Sequence, residues 1–153
     1  MQVASRQCLW KDTFAALGTI LAVEASPASM TVRIARGDLA DGSDSVVVNW
    51  GDGQKSAYSR ISDARHTYEK PGEYTVRISD DIRSFGFTDS SPSGEVPERD
   101  MLRELVSIGS KVTSIATYAF NNCHCMRGVI HLPNVTSIGS YAFGSTRGIT
   151  DFI

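Results

Sequence analysis

At 153 residues, with 41% hydrophobic, 8% aromatic and 21% charged side chains, the chain has the balance of a folded globular protein, which excludes disorder, collagen and coiled coil. Its 15 basic and 17 acidic residues leave a formal net charge of −2, so no broad field of either sign is present to hold nucleic acid or an anionic membrane. Folding a chain of this length removes roughly two-thirds of its extended surface from water, enough for a true core, and length alone favours about one domain.

Three cysteines, Cys8, Cys123 and Cys125, are too few and too odd in number for a disulfide framework. Residues 14–23 (FAALGTILAV) form the longest weakly polar stretch, about half of what a bilayer span needs, so no membrane insertion is expected. Arg6 and Lys11 before it and alanines after it resemble a signal-peptide core. Asp12 and Glu24 close against its ends, however, and no small-x-small cleavage site follows, so it reads as a first β-strand.

Short strands come next. Residues 30–35 (MTVRIA) alternate Met30, Val32 and Ile34 with Thr31, Arg33 and Ala35, the period of a half-buried strand. Residues 46–50 (VVVNW) are a β-branched run ending in an aromatic, and residues 73–79 (EYTVRIS) alternate again. Gly37-Asp38, Asp41-Gly42, Gly51-Asp52-Gly53 and Pro71-Gly72 supply the turns between them. Such punctuation without a helical period implies a small all-β sandwich.

Three blocks inside this region, Asn49-Trp50-Gly51-Asp52-Gly53, His66-Thr67-Tyr68 and Pro71-Gly72-Glu73-Tyr74-Thr75-Val76, stand in the order and spacing of a known signature. On them the segment resembles the polycystic-kidney-disease (PKD) domains, and the resemblance implies an immunoglobulin-like β-sandwich over residues 1–85. The family usually carries aspartate where Asn49 stands, and no final strand is evident after Ser79. The resemblance gives His66 a structural role.

Residues 86–100 (GFTDSSPSGEVPERD) have the Ser, Pro, Gly and charge content of a linker or long turn. A helix is expected after them. Pro97 suits its first turn, Glu98 and Asp100 favour the positive end of its dipole, and Met101, Leu102, Leu105 and Val106 form one apolar face, with Gly109 ending it.

From Val112 the chain copies itself: Val112-Thr113-Ser114-Ile115 recurs as Val135-Thr136-Ser137-Ile138, and Tyr118-Ala119-Phe120 as Tyr141-Ala142-Phe143, a period of 23 residues. Such a period belongs to solenoids of the leucine-rich type. The motif, with the apolar strand and Pro133 that follow it, resembles the BspA-type leucine-rich repeats of bacterial surface proteins. Each unit is read as a short strand, a helical turn presenting Tyr118 and Phe120, and a second strand near 129–132. Stacking then lays identical residues over one another. The expected division is residues 1–85 sandwich, 86–100 linker, and 101–153 a capping helix plus repeats. The fold class is thus mainly β with short helices, a PKD-like sandwich joined to a leucine-rich-repeat solenoid. The array stops in mid-unit, with residues 149–153 aligned on 126–130, which suggests a fragment of a longer array or end-to-end self-association.

No GxSxG elbow accompanies His66, so no catalytic residues are assigned and the chain is not read as an enzyme. Cys123-His124-Cys125 with His131 has zinc-ligand types in an unfamiliar spacing, and Cys123 reads better as a small buried hydrophobe. Asp38, Asp41, Asp44 and Asp52 crowd loops where calcium is conceivable, but turn-forming carboxylates explain them. Asn134-Val135-Thr136 has the glycosylation pattern, although Thr136 repeats Thr113. No metal or cofactor is therefore called for.

Strand alternation proposes the contact face. With Ile130 and Leu132 inward, Val129 and His131 point out, joined by Phe152 in the next unit and flanked by Arg127 and Arg147. The expected partner is a protein or glycan, and the resemblances imply a cell-surface or extracellular adhesion module. The alternatives are a structural component of a phage particle or similar assembly, and an accessory domain of a secreted carbohydrate-active or proteolytic enzyme.

Overall fold

The computed structural model describes residues 18–88 and 98–153, and over these the chain is mainly β-structure with one short helix. Cys8, residues 14–17 of the expected first strand and most of the expected linker lie outside the described residues.

Strand β1 (Thr19–Ala25), rich in branched side chains, pairs antiparallel with β6 (Gly72–Ile78) from Thr19 opposite Ile78 to Ala25 opposite Gly72. Beyond β6 lie β3 (Val46–Asn49) and then β4 (Lys55–Tyr58), both antiparallel. The other flank of β1 carries β8 (Leu102–Ser107), completing a five-stranded sheet in the order β4-β3-β6-β1-β8. Leu21, Val23, Val46, Val48, Val76 and Ile78 form its buried face. A second, two-stranded antiparallel sheet joins β2 (Thr31–Arg33) to β5 (Arg65–Thr67). Val32, Ile34, Ile61, Ala64 and Tyr68 from this side share one core with Trp50 and the larger sheet. Each aliphatic side chain so buried contributes about 1.5–3 kcal/mol.

The turn after β3 shows why its residues are what they are. Gly51 has φ of 88°, which L side chains rarely adopt, and a Cβ there would also run into the Thr75 carbonyl. Asn49 Oδ1 accepts the Gly51 N–H at 3.0 Å, and Asp52 Oδ1 accepts the Gln54 N–H at 3.1 Å. Beneath the turn, Trp50 is buried and its carbonyl accepts the Tyr68 hydroxyl at 2.8 Å.

In the repeats, like lies over like. Strands β9 (Ser114–Ile115) and β11 (Ser137–Ile138) pair in parallel, Ser114 beside Ser137 and Ile115 beside Ile138. Phe120 and Phe143 stack at 5.2 Å, and Tyr118 and Tyr141 at 5.4 Å. Backbone bonds tie the rungs along their length: Thr136 N–H to Thr113 O, Gly139 N–H to Ile115 O, Tyr118 N–H to Ser140 O and Phe120 N–H to Ala142 O. The contact is close enough that a Cβ on Gly139 would meet the Thr117 backbone. The expected helical turn in each unit is not helical. Tyr118 and Tyr141, and likewise Asn122 and Ser145, sit at φ of 56–60°, which breaks any helix into successive turns at equivalent positions of both repeats.

An earlier rung precedes the two visible in the sequence. Strand β7 (Ser84–Phe85) pairs in parallel with β9, Ser84 beside Ser114 and Phe85 beside Ile115. The Thr113 N–H donates to Arg83 O and the Ala116 N–H to Phe85 O, each at 2.9 Å, reproducing one rung earlier the bonds that Thr136 and Gly139 make. Phe85 extends the Phe120–Phe143 column, its ring 5.8 Å from Phe120. Thirty residues separate Phe85 from Ile115, against 23 between Ile115 and Ile138, so the repeat is obscured by extra length.

The expected helix after the linker is corrected. Only one turn, α1 (Glu98–Met101), is helical, and Leu102–Ser107 is strand β8. Against β1, Val23 faces Leu102, Ala22 faces Glu104, Leu21 faces Leu105 and Ile20 faces Ser107, so Arg103 and Val106 are bulged out of register. Bulges space the buried residues Leu102, Leu105 and Ser107 unevenly, which imitates a helical period. Strand β8 also packs against β10 (Arg127–Ile130), so it belongs both to the five-stranded sheet and to the stack of rungs.

Candidate binding face

Strands β10 and β12 (Gly148–Phe152) run parallel, Arg127 beside Gly148, Gly128 beside Ile149, Val129 beside Asp151 and Ile130 beside Phe152. Beyond them the Ile153 N–H donates to Ile130 O and the Leu132 N–H to Ile153 O. Alternation along β10 buries Ile130 and leaves Arg127, Val129 and His131 exposed in one row. Arg147, also exposed, enters β12 next to the Arg127–Gly148 pair.

Phe152 is placed differently from the expectation. It pairs with Ile130 and meets Phe143 edge-on at 5.0 Å while staying 49% exposed, so by register it falls in the column of Ile130 and not in the row of Val129 and His131. Their neighbours in the next rung are Asp151 and Ile153, both exposed. The reason is length: seven residues separate Phe120 from Arg127 but only four separate Phe143 from Arg147, and a bulge between Gly128 and Val129 shifts the pairing once more. The Arg-Gly pair at 127–128 and again at 147–148 was the signal for this shorter unit. The face therefore carries two guanidinium groups at one end, an imidazole and a carboxylate further along, and Val129 and Ile153 as its apolar contacts.

A cleft of about 430 Å³ is lined by Asp52, Gln54, His66, Thr67, Glu69, Lys70 and Tyr74. His66 Nε2 lies 2.7 Å from Asp52 Oδ2, and its ring stacks on Trp50 at 5.2 Å and meets Tyr68 edge-on. Burial on its own would raise the Asp52 pKa, but hydrogen bonds from His66 and the Gln54 N–H outweigh it and hold the carboxyl below its ordinary value. Burial pushes the Tyr68 phenol in the opposite direction, well up. His66 is thus held between a carboxylate and two aromatic rings at the base of the β3–β4 turn.

The cysteine–histidine cluster does not converge. Cys123 is buried against the Phe120 side of the core, and burial pushes its thiol up to about 12, so it remains protonated, while His124 and His131 face solvent. Among the described residues no three His, Cys, Asp or Glu side chains come together as a metal site. Of the loop aspartates, Asp52 is engaged by His66 and Asp38 accepts from the Ser84 hydroxyl at 3.2 Å.

No curated protein and no solved structure matches the chain. Residues 102–153 match the model of the BspA type leucine rich repeat region. That stretch opens with β8 and takes in the rungs of β9–β10 and β11–β12, so the sequence family and the stacked geometry meet in the same residues, while the rung at Arg83–Phe85 lies ahead of the matched stretch.

Proposed function

We propose that the chain is a non-enzymatic binding module of the bacterial cell surface, its β10–β12 face contacting a protein or glycan. In this reading the N-terminal unit is a PKD-like sandwich serving as spacer and cover for a leucine-rich-repeat solenoid, with β8 common to both. The BspA-type repeats are a bacterial surface family often involved in binding, which supports the general class. No described helix is long and apolar enough to cross a membrane.

The observation that carries the reading is the exposed row Arg127, Val129 and His131 on a parallel sheet whose opposite side is closed by buried Ile130 and Met126. Repeat proteins present such rows as extended contact surfaces. The test is binding to arrays of glycans and of extracellular-matrix and host-surface proteins, wild type against the double variant Val129→Asp, His131→Ala. Both side chains are exposed, so circular dichroism is expected to be unchanged while the wild type's array signals fall at least about tenfold, the loss of a central contact. Equal signals from the two proteins would reject this face.

A further inference from the structure

We propose that the cleft between the β3–β4 turn and the β5–β6 turn is a binding site for a neutral mono- or disaccharide, carried by the N-terminal unit and separate from the β10–β12 face.

Three parts of the chain build the site. Asp52 and Gln54 come from the β3–β4 turn, His66 from β5, Glu69 and Lys70 from the turn after it, and Tyr74 from β6. The volume of about 430 Å³ lies within the roughly 300–1,000 Å³ of small-ligand pockets.

The walls are fixed before anything binds. Asp52 Oδ1 accepts the Gln54 N–H at 3.1 Å and Oδ2 meets His66 Nε2 at 2.7 Å, and these two side chains are only 18% and 16% exposed. His66 is held in turn by Trp50, the two ring planes lying within 11° of each other. Tyr74 is braced from behind: its ring stacks on buried Tyr68 at 3.9 Å, and its hydroxyl donates to Lys70 O at 2.6 Å. Tyr68 covers one face of that ring, which leaves the opposite face for a ligand. A site whose side chains are already ordered loses little entropy when it is filled.

The chemistry of the walls selects the occupant. A sugar ring has an apolar C–H face and an edge of hydroxyls, each both donor and acceptor. Tyr74 supplies a flat ring for the face. For the edge, Gln54 and Glu69, both exposed, bring an amide donor and acceptor and a pair of carboxylate oxygens, and Lys70 adds ammonium donors. Planar groups of this kind reach two neighbouring hydroxyls at once. An apolar ligand would instead strip water from these groups and pair none of them. An anion would meet the carboxylates of Asp52 and Glu69, and a cation the ammonium of Lys70, so the mixed signs favour a neutral polyol.

Amide nuclear magnetic resonance spectra of the 153-residue chain, titrated with glucose, galactose, mannose, N-acetylglucosamine, cellobiose and chitobiose, test this. At least one of these sugars should shift the amides of residues 52–54 and 66–74 to saturation, and cationic glucosamine and anionic N-acetylneuraminic acid should bind more weakly. The variant Gln54→Ala, Glu69→Ala changes two exposed side chains, so its circular dichroism should match wild type while affinity falls at least about tenfold. Tyr74→Phe keeps the ring and should keep binding, whereas Tyr74→Leu keeps bulk without the flat face and should lose it. No saturable shift at these amides with any of the six sugars, wild-type affinity in the double variant or in Tyr74→Leu, or tighter binding of the charged sugars would each overturn the proposal. The Val129→Asp, His131→Ala variant leaves the cleft intact and should titrate as wild type, so the two sites stand or fall separately.

Discussion

Replacing Phe120 with alanine is expected to destabilise the chain by about 3–5 kcal/mol, the cost of removing a buried aromatic ring and leaving a cavity. Phe120 is fully buried between Phe85 at 5.8 Å and Phe143 at 5.2 Å, so its loss breaks the column at its centre and leaves both neighbours without their ring contact. Because β8 is bonded to β1 and packs on β10, the destabilisation should reach the five-stranded sheet as well. Urea unfolding followed by far-ultraviolet circular dichroism measures it. Phe143→Ala is the internal control: Phe143 is only half-buried, so its cost should be clearly smaller. A loss below 1 kcal/mol for Phe120→Ala, or equal losses for both, would contradict the column.

Trp50→Ala should cost a comparable amount, again about 3–5 kcal/mol, for a different set of reasons. The indole is buried in the core and also stacks on the His66 ring that pairs with Asp52. Removing it leaves the cleft wall unsupported as well as opening a cavity. Trp50→Phe keeps most of the apolar contact and should cost much less, which separates packing from a general intolerance of change at this turn. Thermal and urea unfolding of the pair check the expectation; similar stabilities for Trp50→Ala and wild type would show that the indole does not anchor this core.

How far the residues reveal the fold depends on how regular each element is. Strands β2, β3 and β6 alternate or run β-branched, and they form close to where the pattern places them. The 23-residue copy is enough to place the Ile115–Ile138 and Phe120–Phe143 columns, because identical residues at one period cover their apolar faces on each other. Strand β8 reads as a helix because bulges at Arg103 and Val106 replace the spacing of two by one of three. Strand β7 is hidden for another reason: two residues carry no period, and the extra length before Ile115 breaks the repeat. At the binding face, Arg127, Val129 and His131 follow from alternation within one strand. Phe152 does not, because its position depends on pairing between strands, which a shortened unit and a bulge move out of the sequence register.

The central claim is that stacking begins at residues 83–85 and runs unbroken to the last rung. Amide hydrogen exchange read residue by residue by nuclear magnetic resonance tests it most directly. If Arg83–Phe85 is a true rung, the Thr113 and Ala116 amides, bonded to Arg83 O and Phe85 O, should be as protected as the Thr136 and Gly139 amides one repeat on. If the array instead opened at β9, Thr113 and Ala116 would lie on a free edge and exchange at rates typical of exposed loops, and the account would be wrong.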